Sequence, residues 1–482
     1  MPRARVHGPE SDAPVLKRFF THYVAEEVRP MLRLAVPIVL AELGWMTMGI
    51  VDTIMVGHQR DSAVAIGAVS LSSILYYVVA IFGTGLMLGL DTLVSQSYGA
   101  GDLDDAHRSL INGVYLSLGL APILMGIVWA WEPIVRMLGI PAPLTAQAIP
   151  YLRALNWGTL PLLLYFAFRR YLQGVNLVKP VMFSLISANI VNFVGNWALI
   201  YGHLGCRAMG TVGSGWSTCW ARLYMALVLM GYAVYHDVRH KTGLRRVSRR
   251  LHLPRVKELL MLGLPAASQI GVELGVFGLA TMLIGKLGAL PLAGHQIALN
   301  TISFTYMVPL GISSAAAVRV GQALGRRDSH AASRAGWTAL TLGATFMACM
   351  ALVLWLLPSY IARIYTPDPT VIRAASGLLI IAAFFQLFDG LQSVATGALR
   401  GAGDTRTPLI CHLVYYWVVG LPVGAYLCFR ADWGVRGLWT GLCIALILIG
   451  STLLYAWRRK ERGFAELLER LSMSGGSAVE TY

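Results

Sequence analysis

Charge is what this sequence has least of. Asp, Glu, Lys and Arg make up 13% of the 482 residues, against 56% hydrophobic, where soluble proteins carry about 25% charged residues. With a mean hydropathy of +0.61, a string of soluble domains is excluded. Cysteine is scarce as well. The six present (Cys206, Cys219, Cys349, Cys411, Cys428 and Cys443) form no C-x-x-C and mostly fall in apolar stretches, so neither a metal site nor a disulfide framework is expected. Cys206 and Cys428 map to loops on one side, but a bridge there requires close Cα atoms. Catalytic signatures are absent too: no G-x-S-x-G, no H-E-x-x-H and no G-x-x-x-x-G-K-S/T occurs. The chain is read as no enzyme, and as no ATP-driven pump.

Apolar stretches are abundant. About 20 residues suffice to cross a hydrocarbon core, and such runs can be laid down twelve times, at 31–57, 64–96, 108–131, 147–171, 179–201, 211–235, 256–285, 290–323, 332–357, 372–399, 407–429 and 434–457. The first follows a polar segment with no secretory-signal pattern and reads as an anchor. Basic residues crowd into alternate connections: Arg169 and Arg170, Arg239 to Lys257, Arg319 to Arg334, Arg400 and Arg406, and Arg458 to Arg462. The other connections hold only Arg60, Arg136, Lys286, Arg430 and a few like them. Roughly 29 of the 39 basic residues fall on one side, the positive-inside pattern. That distribution accounts for the net charge of +15 without nucleic acid. It predicts a multi-pass protein of the cell membrane with both termini cytoplasmic.

The halves repeat at an offset of about 226 residues. V-S-Q-S-Y-G-A-G after the second span aligns with V-G-Q-A-L-G-R-R after the eighth, placing Gln96 on Gln322 and Gly99 on Gly325; Y-L-Q-G after the fourth aligns with A-L-R-G after the tenth, placing Gly174 on Gly401. Six spans are followed by six more, related by an axis along the membrane normal. The expected organisation is an N-terminal segment (1–30), an N-lobe (31–235), a basic linker (236–257) against anionic lipid heads, a C-lobe (258–457) and a tail (458–482). Gly83, Gly85 and Gly89 allow close helix approach, and Pro37, Pro161, Pro265, Pro309 and Pro422 permit kinks within spans.

An ionised acid inside a bilayer costs roughly 3 kcal/mol on insertion scales, so acids within spans are candidate functional groups. Asp52 lies in the outer half of span one. At matching depth stand Asn192 and Asn196, part of an i, i+3, i+7 stripe with Asn189 on span five, and Thr218 on span six. A carboxylate, two amide oxygens and a hydroxyl can hold a small hard cation such as Na⁺, or hydrogen-bond a protonated Asp52; interhelical packing is the other reading of the asparagines. In the second half Glu273 sits mid-span seven and Asp389 mid-span ten, with Gln386, Ser393 and Thr396 on the Asp389 stripe. These acids are poised to carry protons or to meet an organic cation. Glu42 and Arg222 both lie near mid-depth of the first half, and a buried ion pair between them is expected. Asp91 is expected to cap or pair locally, and His295 and Gln296 to pack.

With twelve spans in a six-plus-six repeat, V-D-T-I-M-V-G in span one, L-V-S-Q-S-Y-G-A-G after span two and L-R-G-A-G-D-T-R-T-P after span ten, residues 31 to 457 resemble the multidrug and toxic compound extrusion transporters, and most of all their NorM-type branch. The resemblance implies an all-α membrane fold of two pseudo-symmetric six-helix lobes, and an antiporter that exports mostly cationic organic compounds against H⁺ or Na⁺. It assigns coupling to Asp52, Asn192, Asn196, Thr218, Glu273 and Asp389, and it leans to a monomer with no cofactor beyond the coupling ion. Two departures stand out. The additional span-five acid of the DinF-type branch is replaced by Asn192 and Asn196, and Phe385 stands where a hydroxylated aromatic is expected one turn before Asp389. Alternating access is the expected mechanism. The alternatives are a lipid-linked oligosaccharide flippase of the same wider fold group, which would want a basic cavity, and an integral membrane enzyme or receptor.

Overall fold

The computed structural model describes residues 24–475 except 60, 138 and 139. Most of the expected N-terminal segment, Arg60, and the tail beyond 475 lie outside these residues.

Among the described residues the structure is helical throughout, without a strand. A π-helical turn (Val24–Val28) leads into α1 (Arg29–Gly57), α2 (Ser62–Leu86), α3 (Gly89–Gly99), α4 (Leu103–Met137), α5 (Ala142–Asn156), α6 (Thr159–Gly174), α7 (Val178–Tyr201) and α8 (Thr211–His240). The second half has α9 (Leu253–Gly285), α10 (Ala289–Gly325), α11 (Ser329–Leu356), α12 (Pro358–Tyr365), α13 (Pro369–Gly401), α14 (Arg406–His412), a π-helical segment (Leu413–Gly420), α15 (Leu421–Phe429) and α16 (Val435–Gly475). Eleven helical stretches are long and apolar enough to cross a membrane, with α2 and α3 counting as one and α14 to α15 as another. The bent pair α5–α6, carrying Arg153, Arg169 and Arg170, makes the twelfth and is more polar, with Arg169 and Arg170 buried inside the protein. Pro37, Pro265 and Pro309 sit inside helices, as neighbouring helices allow in spans.

Each half has its own apolar core. In the first, Leu90, Leu172 and Leu229 form one cluster and Tyr76, Leu152 and Leu163 another. The second half packs around Ala315, Leu379, Leu399, Leu446 and Trp457, and this core also takes in Met31, Leu34, Ala35 and Ile38 from the start of α1. The lobes therefore join where α1 meets α10, and, by the repeat, where α2 and α3 meet α9.

Glycine makes that junction. A Cβ on Gly85 would lie 2.6 Å from Ala267 Cα, and one on Gly311, the residue 226 positions later, 2.4 Å from a Val39 side-chain carbon. At the end bearing the basic connections the helices touch backbone to backbone: a Cβ on Gly99 would stand 2.1 Å from the Gln322 carbonyl oxygen, and one on Gly325 2.0 Å from that of Gln96. The paired motifs of the repeat thus pack on each other across the pseudo-twofold axis. Gln96 Nε2 donates to the Gly401 carbonyl (3.0 Å) and Gln322 Nε2 to that of Gly174 (2.8 Å). Asn176 exchanges amide hydrogen bonds with Gln322, and Thr92 donates to the Arg400 carbonyl (2.5 Å). Glu27 adds ion pairs to Arg319 (2.9 Å) and Arg334 (2.8 Å). These interlobe bonds gather at the basic end, and Glu273, ten residues or about 15 Å of helix beyond Gly263, lies past the junction.

Gly99→Ala and Gly325→Ala are expected to hold this end apart, because backbone cannot yield as a flexible side chain can. Spin labels on exposed Lys179→Cys and Arg406→Cys would then report longer interlobe distances in either variant. Gly119→Ala, where a Cβ meets nothing within 4 Å, should leave the distances unchanged.

Candidate functional site

Polar groups inside the bundle form two clusters, one per lobe. In the first, α1, α7 and α8 bring together the four residues that share a depth in the sequence. Asn196 Nδ2 donates to Asp52 Oδ1 (2.6 Å) and to Asn192 Oδ1 (3.2 Å), Thr218 Oγ1 donates to Asp52 Oδ2 (2.9 Å), and Asn192 Nδ2 donates to Thr218 Oγ1 (3.4 Å). Asp52, Asn192, Asn196 and Thr218 are all buried. Both carboxylate oxygens are filled by donors, and Asn196 Oδ1 has no partner. A Na⁺ here would find Asp52 and that one amide oxygen, and would require the Asn196 amide to turn. Asn189, the third member of the stripe, bonds the Gly44 and Leu185 carbonyls instead and packs α7 on α1.

The expected Glu42–Arg222 pair does not form. Glu42 pairs with Arg169, whereas Arg222 Nη1 donates to the Tyr76 hydroxyl (2.8 Å) and the Leu155 carbonyl (3.5 Å), with its guanidinium carbon 4.7 Å from the Tyr76 ring centre. The reason is depth. Glu42 precedes Asp52 by ten residues, about 15 Å of helix, while Arg222 is only four residues, about 6 Å, from Thr218. Arg222 is 1% exposed, and its Nε and Nη2 have no hydrogen-bond partner among the described residues. Asp91 likewise departs from the expected local role: buried at the lobe junction, it pairs with Arg170 (3.4 Å) and, across the lobes, with Arg400 (3.1 Å).

The second cluster joins α9, α13 and α14. Gln392 Nε2 donates to Asp389 Oδ1 (3.3 Å) and Glu273 Oε1 (3.4 Å), and Gln269 Nε2 donates to Glu273 Oε2 (3.1 Å). The bridging amide is therefore Gln392, one position from the expected Ser393. The Tyr306 phenol of α10 lies beside Gln392 and Ser393, so a hydroxylated aromatic from span eight adjoins the bridging amide, while Phe385 is buried against Trp439. Gln386, expected at the binding surface, turns instead to Thr305 (2.6 Å) and the Met347 sulfur (3.7 Å). His412, which is not among the residues that the sequence singles out above, stands 3.8 Å from Glu273. A signal for it exists: an ionisable residue within a span is uncommon enough to mark a candidate. His295, by contrast, packs between Thr281 (2.8 Å) and Trp439 (3.0 Å). Among the described residues no group of three His, Cys, Asp or Glu could hold a metal, and Cys206 and Cys428 are free.

The two lobes differ in charge. In the first, Glu42 is paired with Arg169 and Arg222 is buried against Tyr76, whereas Glu273 and Asp389 meet only amides and one imidazole, with no lysine or arginine bonded to either among the described residues.

Comparison with known proteins gives the same result for sequence and for structure. The model of the MatE family matches the chain twice, over residues 37–198 and 265–426, once per lobe. The probable multidrug resistance protein NorM of Mesorhizobium japonicum is 36% identical over 447 residues, 91% of this chain and 95% of that protein. The multidrug resistance protein PmpM of Pseudomonas aeruginosa is 34% identical over 95% of this chain and 96% of its own. A eukaryotic MATE transporter has the same fold, with a TM-score of 0.82 at 19% identity, covering 92% of this chain and all of that one. So does a multidrug resistance MATE family transporter of the MOP superfamily in an outward-facing conformation, with a TM-score of 0.79 at 20% identity, over 90% and 96%.

Breaking the Glu42–Arg169 pair strands a fully buried guanidinium, which costs about 3–5 kcal/mol. Glu42→Gln should therefore lower the thermal unfolding midpoint in detergent, and Glu42→Met with Arg169→Met should recover most of the loss because no charge is left unmatched.

Proposed function

The chain belongs to the MatE family, and from that premise we propose that it is a multidrug efflux antiporter of the cell membrane, exporting mostly cationic organic compounds in exchange for inward-moving H⁺ or Na⁺. The observation that carries this reading is the pair Glu273 and Asp389: two carboxyl groups inside one lobe, the first partly buried and the second buried, bridged by a single amide and bonded to no fixed cation among the described residues. Two like charges in such a place are costly together. Any cation that reaches them, a proton or an organic ammonium group, relieves the same repulsion, so the two compete. Competition at one site open alternately to each side is exchange.

The positive-inside distribution supports a cytoplasmic location for the basic end and for both termini. Closure through Gln96, Gln322 and their glycine partners then makes the described arrangement outward-facing, with the paired acids beyond the closed end. Rocking the lobes apart about this junction would open the other face. Asp52 serves differently in this reading: both its oxygens are held by donors from α7 and α8, so a proton or cation taken up there would rearrange the bonds that join α1 to those helices. One chain carries both lobes and both acids, so a monomer suffices, and no cofactor beyond the coupling ion is needed.

In proteoliposomes, Glu273→Gln, Asp389→Asn and Asp52→Asn should each abolish ion-driven efflux of ethidium while the protein still inserts. Wild-type rates by both Glu273→Gln and Asp389→Asn would overturn the assignment. Imposing a pH gradient and a Na⁺ gradient separately identifies the coupling ion as the one that drives uptake into inverted vesicles.

A further inference from the structure

His412 is buried completely at the last turn of α14, where the π-helical segment of span eleven begins. Both of its ring nitrogens face a hydrogen-bond partner. Nδ1 lies 2.7 Å from the Pro408 carbonyl. A carbonyl only accepts, so Nδ1 carries a hydrogen. Nε2 lies 2.8 Å from Gln392 Oε1, and the amide of the same Gln392 points its Nε2 at Glu273 and Asp389. With the amide in this orientation its oxygen also only accepts, and His412 Nε2 then carries a hydrogen as well. In this orientation the arrangement is that of an imidazolium beside the Glu273–Asp389 pair. Turned by half a rotation, the Gln392 amide donates to a bare Nε2 and presents its oxygen to the acids, which requires a proton on the carboxyl facing it. Gln269 Nε2, 3.3 Å from the imidazole Nε2, becomes a second donor in that arrangement.

We propose that His412 is a third proton-binding group of the C-lobe site, whose Nε2 proton and the protons of Glu273 and Asp389 are exchanged under the control of the Gln392 amide. The inference rests on the antiport reading above. The transfer is a plain acid–base step: the Nε2–H bond breaks, an O–H bond forms on Glu273, whose Oε2 is 3.8 Å away, and imidazolium plus carboxylate become imidazole plus carboxylic acid. The groups facing the ring are Glu273 from α9, Asp389 from α13 through Gln392, the Tyr306 phenol of α10 near that amide, and Tyr416 on its own span with ring centres 5.7 Å apart. α16, packed on the same segment, bonds the ring through none of its described side chains. An organic cation on the two carboxylates meets the imidazolium as the nearest like charge and expels its proton.

The test is ethidium binding to purified protein in detergent between pH 5.5 and 8.5, with Kd followed by fluorescence. Each proton displaced on binding makes log Kd fall by one per pH unit. His412→Gln keeps a donor for Gln392 Oε1 but cannot titrate, so its plot of log Kd against pH should be shallower than that of the wild type by up to one. Gln392→Leu leaves His412 in place and removes only the bridge; it should lose the same slope, and it answers the question if His412→Gln inserts poorly. A wild-type slope in both variants, as a purely structural histidine would give, overturns the proposal. A wild type that does not bind ethidium, or binds it independently of pH, defeats the antiport reading and this inference together, whereas a pH-dependent wild type with unaltered variants defeats this inference alone.

Discussion

A charge taken out of water must be met by an opposite charge or by several donors, and that constraint sorts the acidic residues of this protein. Glu27 is met by Arg319 and Arg334, Asp91 by Arg170 and Arg400, and Glu42 by Arg169. These acids fasten one element to another. Asp52 is met by neutral donors from Asn196 and Thr218. Glu273 and Asp389 are met by amides, and among the described residues only the imidazole of His412 can bring a positive charge to them. The acids left without a fixed cation are those free to take a mobile one.

The same constraint shapes how the lobes hold together. Each contributes one glutamine donor and one glycine carbonyl at the closed end, Gln96 to Gly401 and Gln322 to Gly174, so the contact is reciprocal and confined to one end. Neutral hydrogen bonds of this kind contribute about 1 kcal/mol each, since water replaces them when they open. Asp91 loses more, but the gap that separates it from Arg400 also admits water to it. A junction built this way closes firmly in one geometry and yet is not prohibitively costly to open, which two lobes hinged at one end require.

Much of this was legible in the sequence, because spans, repeats and helix faces are periodic. The alignment of Gln96 with Gln322 and of Gly174 with Gly401 found the residues that meet at the axis, though not that they bond crosswise. The stripe of Asn192 and Asn196, placed at the depth of Asp52 and Thr218, found a cluster that the structure assembles. Partner choice was harder to read. Arg222 and Arg169 were both available to Glu42. Arg222 is on the face of Thr218 but some 9 Å short of the depth of Glu42 along its helix, while Arg169 has the sequence surroundings of a basic connection. Gln392 and Ser393 differ by about 100° around α13, and a stripe read by eye fixes a face only to within that angle. Asp91 reads as a local cap because its partner Arg400 is remote in sequence and adjacent only through the lobe junction.

The distribution of fixed charge gives the cleft a direction. On one side, Glu42 is paired with Arg169, and the lobe that holds Asp52 also buries the Arg222 guanidinium against Tyr76. On the other, two carboxylates have no fixed counter-charge. Beneath both, the closed end carries two guanidinium groups, of Arg170 and Arg400, to one carboxylate, that of Asp91. All three are buried, so solvent screens them little. An organic cation in the cleft is therefore drawn to Glu273 and Asp389 and repelled by the excess positive charge at the closed end. Steric closure and electrostatics act in the same sense there, and the mobile cation is held where protons can displace it.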